Sequence, residues 1–315
     1  MVGNIPLALK CLLSTMKNFS RFLKSVLFAS FLALFISCGG DKELPVALYY
    51  EYDQDLPLLD SVRLLTDTTD YSLFYLTYQS VHDEKVTALL SLPKKHRQPL
   101  PCIILMHGFG DRKTVDYIEA GNQYLLDAGY AVLRLDISNH GDRFKYDYDF
   151  DLTDGYRYWT RDLITQTVFD LRRAVDFIQT REELDHQRIG YYGISLGGVI
   201  GTIFCSVEER IEVPVIVLAG GNLNLMFGKE ALSGDTKNYL SIIDPINYVA
   251  KISPRPLLMI NAADDDVVPP ITSKLLFKAA KEPKEIIWHP ARHHTLPIEK
   301  AYPEGIQWFD RYLKK

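Results

Sequence analysis

The stretch RIGYYGISLGGVIG, residues 188–201, places one serine among four glycines, and it constrains the fold more than any other part of the chain. Ser195 has Gly193 two positions before it and Gly197 two after it, with Gly198 and Gly201 beyond. That spacing suits a sharp turn from a strand into a helix. The serine sits at the tip in a strained conformation, and glycines flank it because side chains there would collide. Two readings follow from the residues. Ser195 is an exposed nucleophile, or it caps the helix of an ordinary strand, turn and helix. The remainder of the chain has to decide between them.

The surrounding pattern is an alternation of apolar strands with helices. Residues 71–80 and 85–93 are rich in aromatic and β-branched side chains and read as a hairpin. Residues 101–108 form a continuous apolar run bounded by proline and glycine, which predicts a buried strand. Helical spacing covers 114–128, a strand covers 130–138, and a long amphipathic helix covers 160–181. After the serine turn come strands at 213–221, 255–265 and 284–290. A helix at 271–281 lies among them, and a final helix follows that is interrupted near Pro303. Such alternation predicts an α/β fold with a mostly parallel, doubly wound sheet covered on both faces, its opening hairpin an antiparallel edge. One domain, 41–315, is expected. Its irregular stretches 139–160 and 221–250 insert above the carboxyl edge of the sheet, where such folds place ligands.

Residues 1–40 stand apart. From 16 to 40 the chain shows Lys17, Arg21 and Lys24, then an apolar run from Val26 to Ile36, then small residues. That is the anatomy of an export signal, and the run falls short of the roughly 20 apolar residues of a membrane span. Its end, FISC, resembles a bacterial lipobox with Phe35 in the usual place of leucine, so Cys38 is expected to carry lipid. The alternatives are a plain cleaved signal or an uncleaved anchor. The expected location is the bacterial cell envelope, as an exported lipoprotein. Residues 1–15 add nothing to this signal, which points to Met16 as the start of translation. Cys102 and Cys205 then remain for the folded part, and both read as small core hydrophobes. A net charge of −5, with no basic block interleaved with aromatics, argues against nucleic acid as a partner.

A serine hydroxyl needs a base, and the base needs an orienting group. The chain offers NAADDDVVPP at 261–270 after one strand and ARHHTLP at 291–297 after the last. The order is serine, acid, histidine, each on a loop that follows a strand. The acid is one of Asp264, Asp265 and Asp266, and the base is His293 or His294. Three consecutive aspartates also raise calcium, but the glycine and bidentate glutamate of a calcium loop do not follow.

With these motifs, and with HGFGD at 107–111 and DISNHGDR at 136–143, the chain from about residue 70 onward resembles the α/β-hydrolase superfamily. The resemblance is to its dienelactone hydrolase, acetyl xylan esterase and prolyl-oligopeptidase-like branches. It implies a serine carboxylic-ester hydrolase that needs no cofactor. Aligning the family phrase G-x-x-D-x-V-V-P places the acid at Asp265, with Ala262 in place of the glycine. The phrase after the histidine places the base at His294. The oxyanion donors of the fold fall on the backbone N–H groups of Phe109 and Leu196. His107 and His289 are expected to be structural, as are Asp185 and Arg188. Asp136 and Arg143 pair or shape a loop below the site.

The implied substrate is a small-molecule or carbohydrate ester. Residues 141–160 are dense in Tyr, Phe, Trp and Asp, which either stack against sugar rings or pack on the sheet as a lid. Leu225, Met226 and Phe227 are candidates for an acyl pocket. The rival functions on the same fold are a prolyl-oligopeptidase-type serine peptidase and a non-catalytic binding protein.

Overall fold

The structure, a computed structural model, describes residues 48–97, 99–147, 150–151, 155–226, 239–292 and 296–314. Residues 1–47, with the expected export signal and Cys38, and also Phe227, His293 and His294 lie outside the described residues. The described part belongs to one unit, Val46–Lys315. Nine strands form its sheet: β1 (Ser61–Asp67), β2 (Tyr71–Gln79), β3 (Lys85–Pro93), β4 (Leu100–Met106), β5 (Ala131–Leu135), β6 (Leu184–Ile194), β7 (Val213–Val217), β8 (Leu257–Ala262) and β9 (Lys284–His289). The order is β1-β2-β3-β5-β4-β6-β7-β8-β9. Pairing is antiparallel from β1 through β3 to β5 and parallel from there to β9.

Among the described residues, five longer helices cover the sheet: α1 (Asp116–Asp127), α2 (Arg157–Gln179), α3 (Leu196–Val207), α4 (Pro270–Ala279) and α5 (Ile298–Leu313). Successive strand residues point to opposite faces, so each central strand feeds two cores. In β4, Cys102, Ile104 and Met106 join Val168, Leu171, Ile200, Phe204 and Leu276 of α2, α3 and α4. Ile103 and Leu105 join Leu125 of α1 and Tyr302, Phe309 and Leu313 of α5. This is why the strand reads as an unbroken apolar run: both faces are dry. Each such Leu, Ile or Val contributes roughly 1.5–3 kcal/mol by leaving water. Cys102 and Cys205 are free and buried. Burial pushes the Cys102 thiol up to about 12.

Two expectations are corrected. The hairpin of β2 and β3 is not the edge of the sheet, because β1 lies outside it. Nearly every β1 residue is exposed, so the strand carries no apolar alternation to betray it. The last helix runs unbroken through Pro303. Its apolar face, with Tyr302, Trp308 and Phe309 all buried, offsets the one ladder bond that proline cannot make.

Candidate active site

Ser195 joins β6 to α3 with φ 54° and ψ −118°, a left-side backbone conformation that costs a non-glycine residue energy of order 1–3 kcal/mol. The surroundings hold it there. The Ser195 amide donates to the Val217 carbonyl at 2.9 Å, and the Ser195 carbonyl accepts from Gly198 at 2.8 Å and Val199 at 3.0 Å. A Cβ on Gly193 would stand 2.5 Å from the Gly197 carbonyl oxygen, and one on Gly197 would stand 2.5 Å from the His107 carbonyl oxygen. Beneath the turn, the buried Tyr191 hydroxyl donates to the Gly197 carbonyl at 2.5 Å. Sequence reasoning missed that tyrosine; as an inward residue of an apolar strand it carries no signal of its own.

The loop after β4 lies directly against this turn. A Cβ on Gly108 would come within 3.3 Å of the Ser195 Cβ. His107 is fully buried, and its ring ties two loops together. Nδ1 meets the Gly108 carbonyl at 2.7 Å, and Nε2 accepts from the Ile137 amide at 3.1 Å. An Nε2 that accepts leaves the proton on Nδ1, so the ring is neutral, and burial lowers its pKa to about 4. The Gly108 amide donates to the Tyr117 hydroxyl at 2.9 Å, and the Gly110 amide donates to His140 Nε2 at 2.9 Å. Between them, the Phe109 amide donates to no described residue. The same is true of Leu196 and Gly197 in the first turn of α3.

The three aspartates after β8 separate clearly. Asp265 is buried, and its Oδ1 accepts from the Val267 amide at 2.9 Å and the Val268 amide at 2.7 Å. The side chains of Asp264 and Asp266 are 86% and 58% exposed, each 3.9 Å from Arg292. The acid loop is stitched to the chain that follows β9, since Ala263 donates to the His289 carbonyl at 2.7 Å and Asp264 to the Ala291 carbonyl at 3.3 Å. Leu296, at the far end of the undescribed 293–295 segment, lines a cavity of about 400 Å³ together with Ser195, Gly108, Tyr117, Val217 and Leu218. Leu225 and Met226 are not among the lining residues of that cavity. Among the described residues no cluster of three or more His, Cys, Asp or Glu could hold a metal ion.

Other expected roles resolve as follows. His289 bonds Glu304 at 2.8 Å, and Arg188 bonds Asp185 at 2.7 Å, both as supports. Asp136 and Arg143 do not pair through their side chains. Asp136 pairs with Lys113, while Arg143 pairs with Asp170 at 2.6 Å and donates to the Asp136 backbone carbonyl at 3.2 Å. Among the described aromatics of the 139–160 insertion, Phe150 is partly buried against the core and five others are exposed. Phe144, Tyr146, Tyr156, Tyr158 and Trp159 are 44–61% exposed. Tyr146 and Trp159 lie 5.2 Å apart between ring centres. Tyr146, Phe144, Asn139, His140 and Phe109 border a cavity of about 710 Å³.

A serine at a strained strand-to-helix turn, in a sheet of this order with a buried acid after a later strand, defines an α/β-hydrolase fold. The fold is shared with the acetyl xylan esterase of Paenibacillus sp. R4, at a TM-score of 0.72 and 22% identity over 87% of this chain and 96% of that one. The acetyl xylan esterase (AXE1) family model matches residues 59–218, just over half of the chain, and the chain belongs to that family. It is accordingly a carboxylic ester hydrolase. A second model, of the PhoPQ-activated pathogenicity-related protein, matches residues 227–315. Esterase YjfP of Escherichia coli is 25% identical over 68% of this chain and 90% of its own length. The Bacillus subtilis protein YtaP is 27% identical over 42% of this chain, which spans about half (48%) of that relative.

Proposed function

We propose that this protein removes acyl groups from carbohydrate or small-molecule esters through a Ser195–His294–Asp265 triad. The observation that carries the reading is the strained Ser195 turn beside uncommitted amides at Phe109 and Leu196. Ser195 Oγ attacks the ester carbonyl while His294 takes its proton. Asp265 orients the imidazole and stabilises its cationic form. The burial of Asp265, alone among the three neighbouring aspartates, supports that choice. The described ends of the 293–295 segment also support a base from that segment, His294 or its neighbour His293: Arg292 lies beside the aspartates, and Leu296 lies on the wall of the Ser195 cavity. The Phe109 and Leu196 amides stabilise the charge that develops on the carbonyl oxygen. His294 then protonates the leaving alcohol, and water releases the acyl group by the reverse route.

Exposed aromatic rings beside polar groups around the 710 Å³ cavity favour a sugar on the alcohol side, since rings stack on apolar sugar faces while Asp147 takes hydroxyls. An acetylated polysaccharide outside the cytoplasm also fits an export signal that ends at a lipid-bearing Cys38. Hydrolysis of p-nitrophenyl acetate, butyrate and octanoate, beside acetate release from acetylated xylo-oligosaccharides, tests the activity. Ser195→Ala is expected to lower kcat by about 10⁴-fold or more; a loss of only a few-fold would refute the nucleophile.

A further inference from the structure

The loop that carries Phe109 is built from residues that favour disorder. Glycines flank Phe109 on both sides, and Gly110 has φ +78°. Fixing each backbone residue of such a turn costs about 1–2 kcal/mol in conformational entropy. An oxyanion donor works only if it is already aimed before the charge appears. Something other than the turn's own sequence must therefore hold it.

Two side chains from different elements do so. Tyr117 stands in the first turn of α1. Its hydroxyl proton is committed to Asp111 Oδ2 at 2.7 Å, which leaves an oxygen lone pair to accept from the Gly108 amide at 2.9 Å. Burial and the Asp111 carboxylate both raise the pKa of this phenol, so the hydroxyl keeps its proton. On the other side, His140 Nδ1 is 2.9 Å from the Ser138 carbonyl, and Nε2 accepts from the Gly110 amide. The Ser138 bond places the proton on Nδ1 and leaves Nε2 free to accept. Burial lowers the His140 pKa and favours this neutral ring, with Asp136 and Asp111 acting against that shift and Arg143 with it.

We propose that Tyr117 and His140 are positioning residues that clamp the amides on either side of Phe109. Of the amides of residues 108–110, the Phe109 N–H is thereby the one left without an acceptor among the described residues, free to serve the oxyanion. The proposal rests on the oxyanion role of Phe109 given above. It assigns a new function to Tyr117 and His140, which act through backbone amides. The clamps act only through a donor whose bond strengthens in the transition state. Their loss should therefore appear in kcat and not in KM.

The test uses Tyr117→Phe, His140→Ala and His140→Gln on p-nitrophenyl acetate, with thermal melting as the check on folding. Removal of an oxyanion donor costs about 10²–10³ in kcat, so a donor left unaimed should cost about 10–100-fold. Tyr117→Phe and His140→Ala should each lower kcat and kcat/KM by that factor, with KM within about twofold of wild type. His140→Gln offers an amide oxygen where Nε2 stood and should recover most of the loss. Unchanged kcat in a folded variant overturns the role of that residue. A rise in KM at constant kcat, or a glutamine variant no better than alanine, overturns the clamp. If His140→Ala does not fold, Tyr117→Phe decides alone, because it keeps the ring and loses only the hydroxyl. Wild-type hydrolysis that survives Ser195→Ala would overturn the active-site reading itself and the clamp with it.

Discussion

The corner formed by residues 107–110 and 195–198 and the strip formed by residues 144–159 border neighbouring space but are built on opposite principles. In the corner, buried side chains and short backbone bonds fix the chain and leave the Phe109, Leu196 and Gly197 amides uncommitted. His107 bridges two loops, Tyr191 anchors the helix turn, and Gly197 leaves no room for even a methyl group beside the His107 carbonyl. In the strip, five aromatic side chains are about half exposed, and Tyr146 touches Trp159 while leaving surface open to solvent. A buried, mutually paired network has one arrangement and fails when one member is lost. An exposed aromatic surface offers contact area to a ligand and tolerates change. On the proposed function, chemistry falls to the first kind of region and selectivity to the second.

The comparison breaks or sharpens with three measurements beyond the nucleophile test. The largest effect is expected at the acid. Asp265→Asn keeps the shape of the turn but cannot stabilise a cationic base, and kcat should fall by about 10⁴-fold. Asp264→Asn and Asp266→Asn change exposed carboxylates and should stay within about twofold. Equal losses at all three would erase the distinction between buried and exposed groups.

Acid should act on the corner before it acts on the strip. An unfolded histidine titrates near 6.5, whereas His107 is held neutral down to about 4, mainly by burial, with Asp136 and Asp111 opposing the shift. Between those values the unfolded chain binds the proton and the folded chain does not, so stability falls as pH drops. The loss should reach roughly 3 kcal/mol from this group between pH 7 and pH 4. Urea midpoints across that range measure it, and His107→Gln should flatten the slope. An unchanged slope would mean that the ring is already protonated in the fold.

The smallest effect belongs to the strip. Trp159→Ala should raise KM for acetylated xylo-oligosaccharides by about three- to tenfold, or about 0.7–1.4 kcal/mol. Turnover of p-nitrophenyl acetate, which has no sugar to stack, should not change. Equal effects on both substrates would place Trp159 in the catalytic corner instead.

Some of this organisation could be read directly from the residues. Continuous apolar runs at 101–106 and 213–217 require two dry faces, and that requirement leads to a parallel sheet with helices on both sides. The glycine spacing around Ser195 predicts a strained turn, and the turn has φ 54°. The exposed edge strand Ser61–Asp67 was not legible, because an edge that faces water on both sides imposes no apolar pattern. Nor was the partner of Asp136, since Lys113 comes from a different loop 23 residues away.

The sequence by itself determined the order of elements, the glycine turn and the set of acid and base candidates, because these depend on periodicity and local sterics. Only the tertiary structure decided which aspartate of three is buried, which amides of residues 108–110 are taken up, and that Phe144, Tyr146, Tyr156, Tyr158 and Trp159 are exposed while Phe150 packs against the core. Those outcomes depend on what chain segments tens of residues apart bring to the same point. Three adjacent aspartates are chemically alike until the fold dries one of them and leaves its neighbours in water.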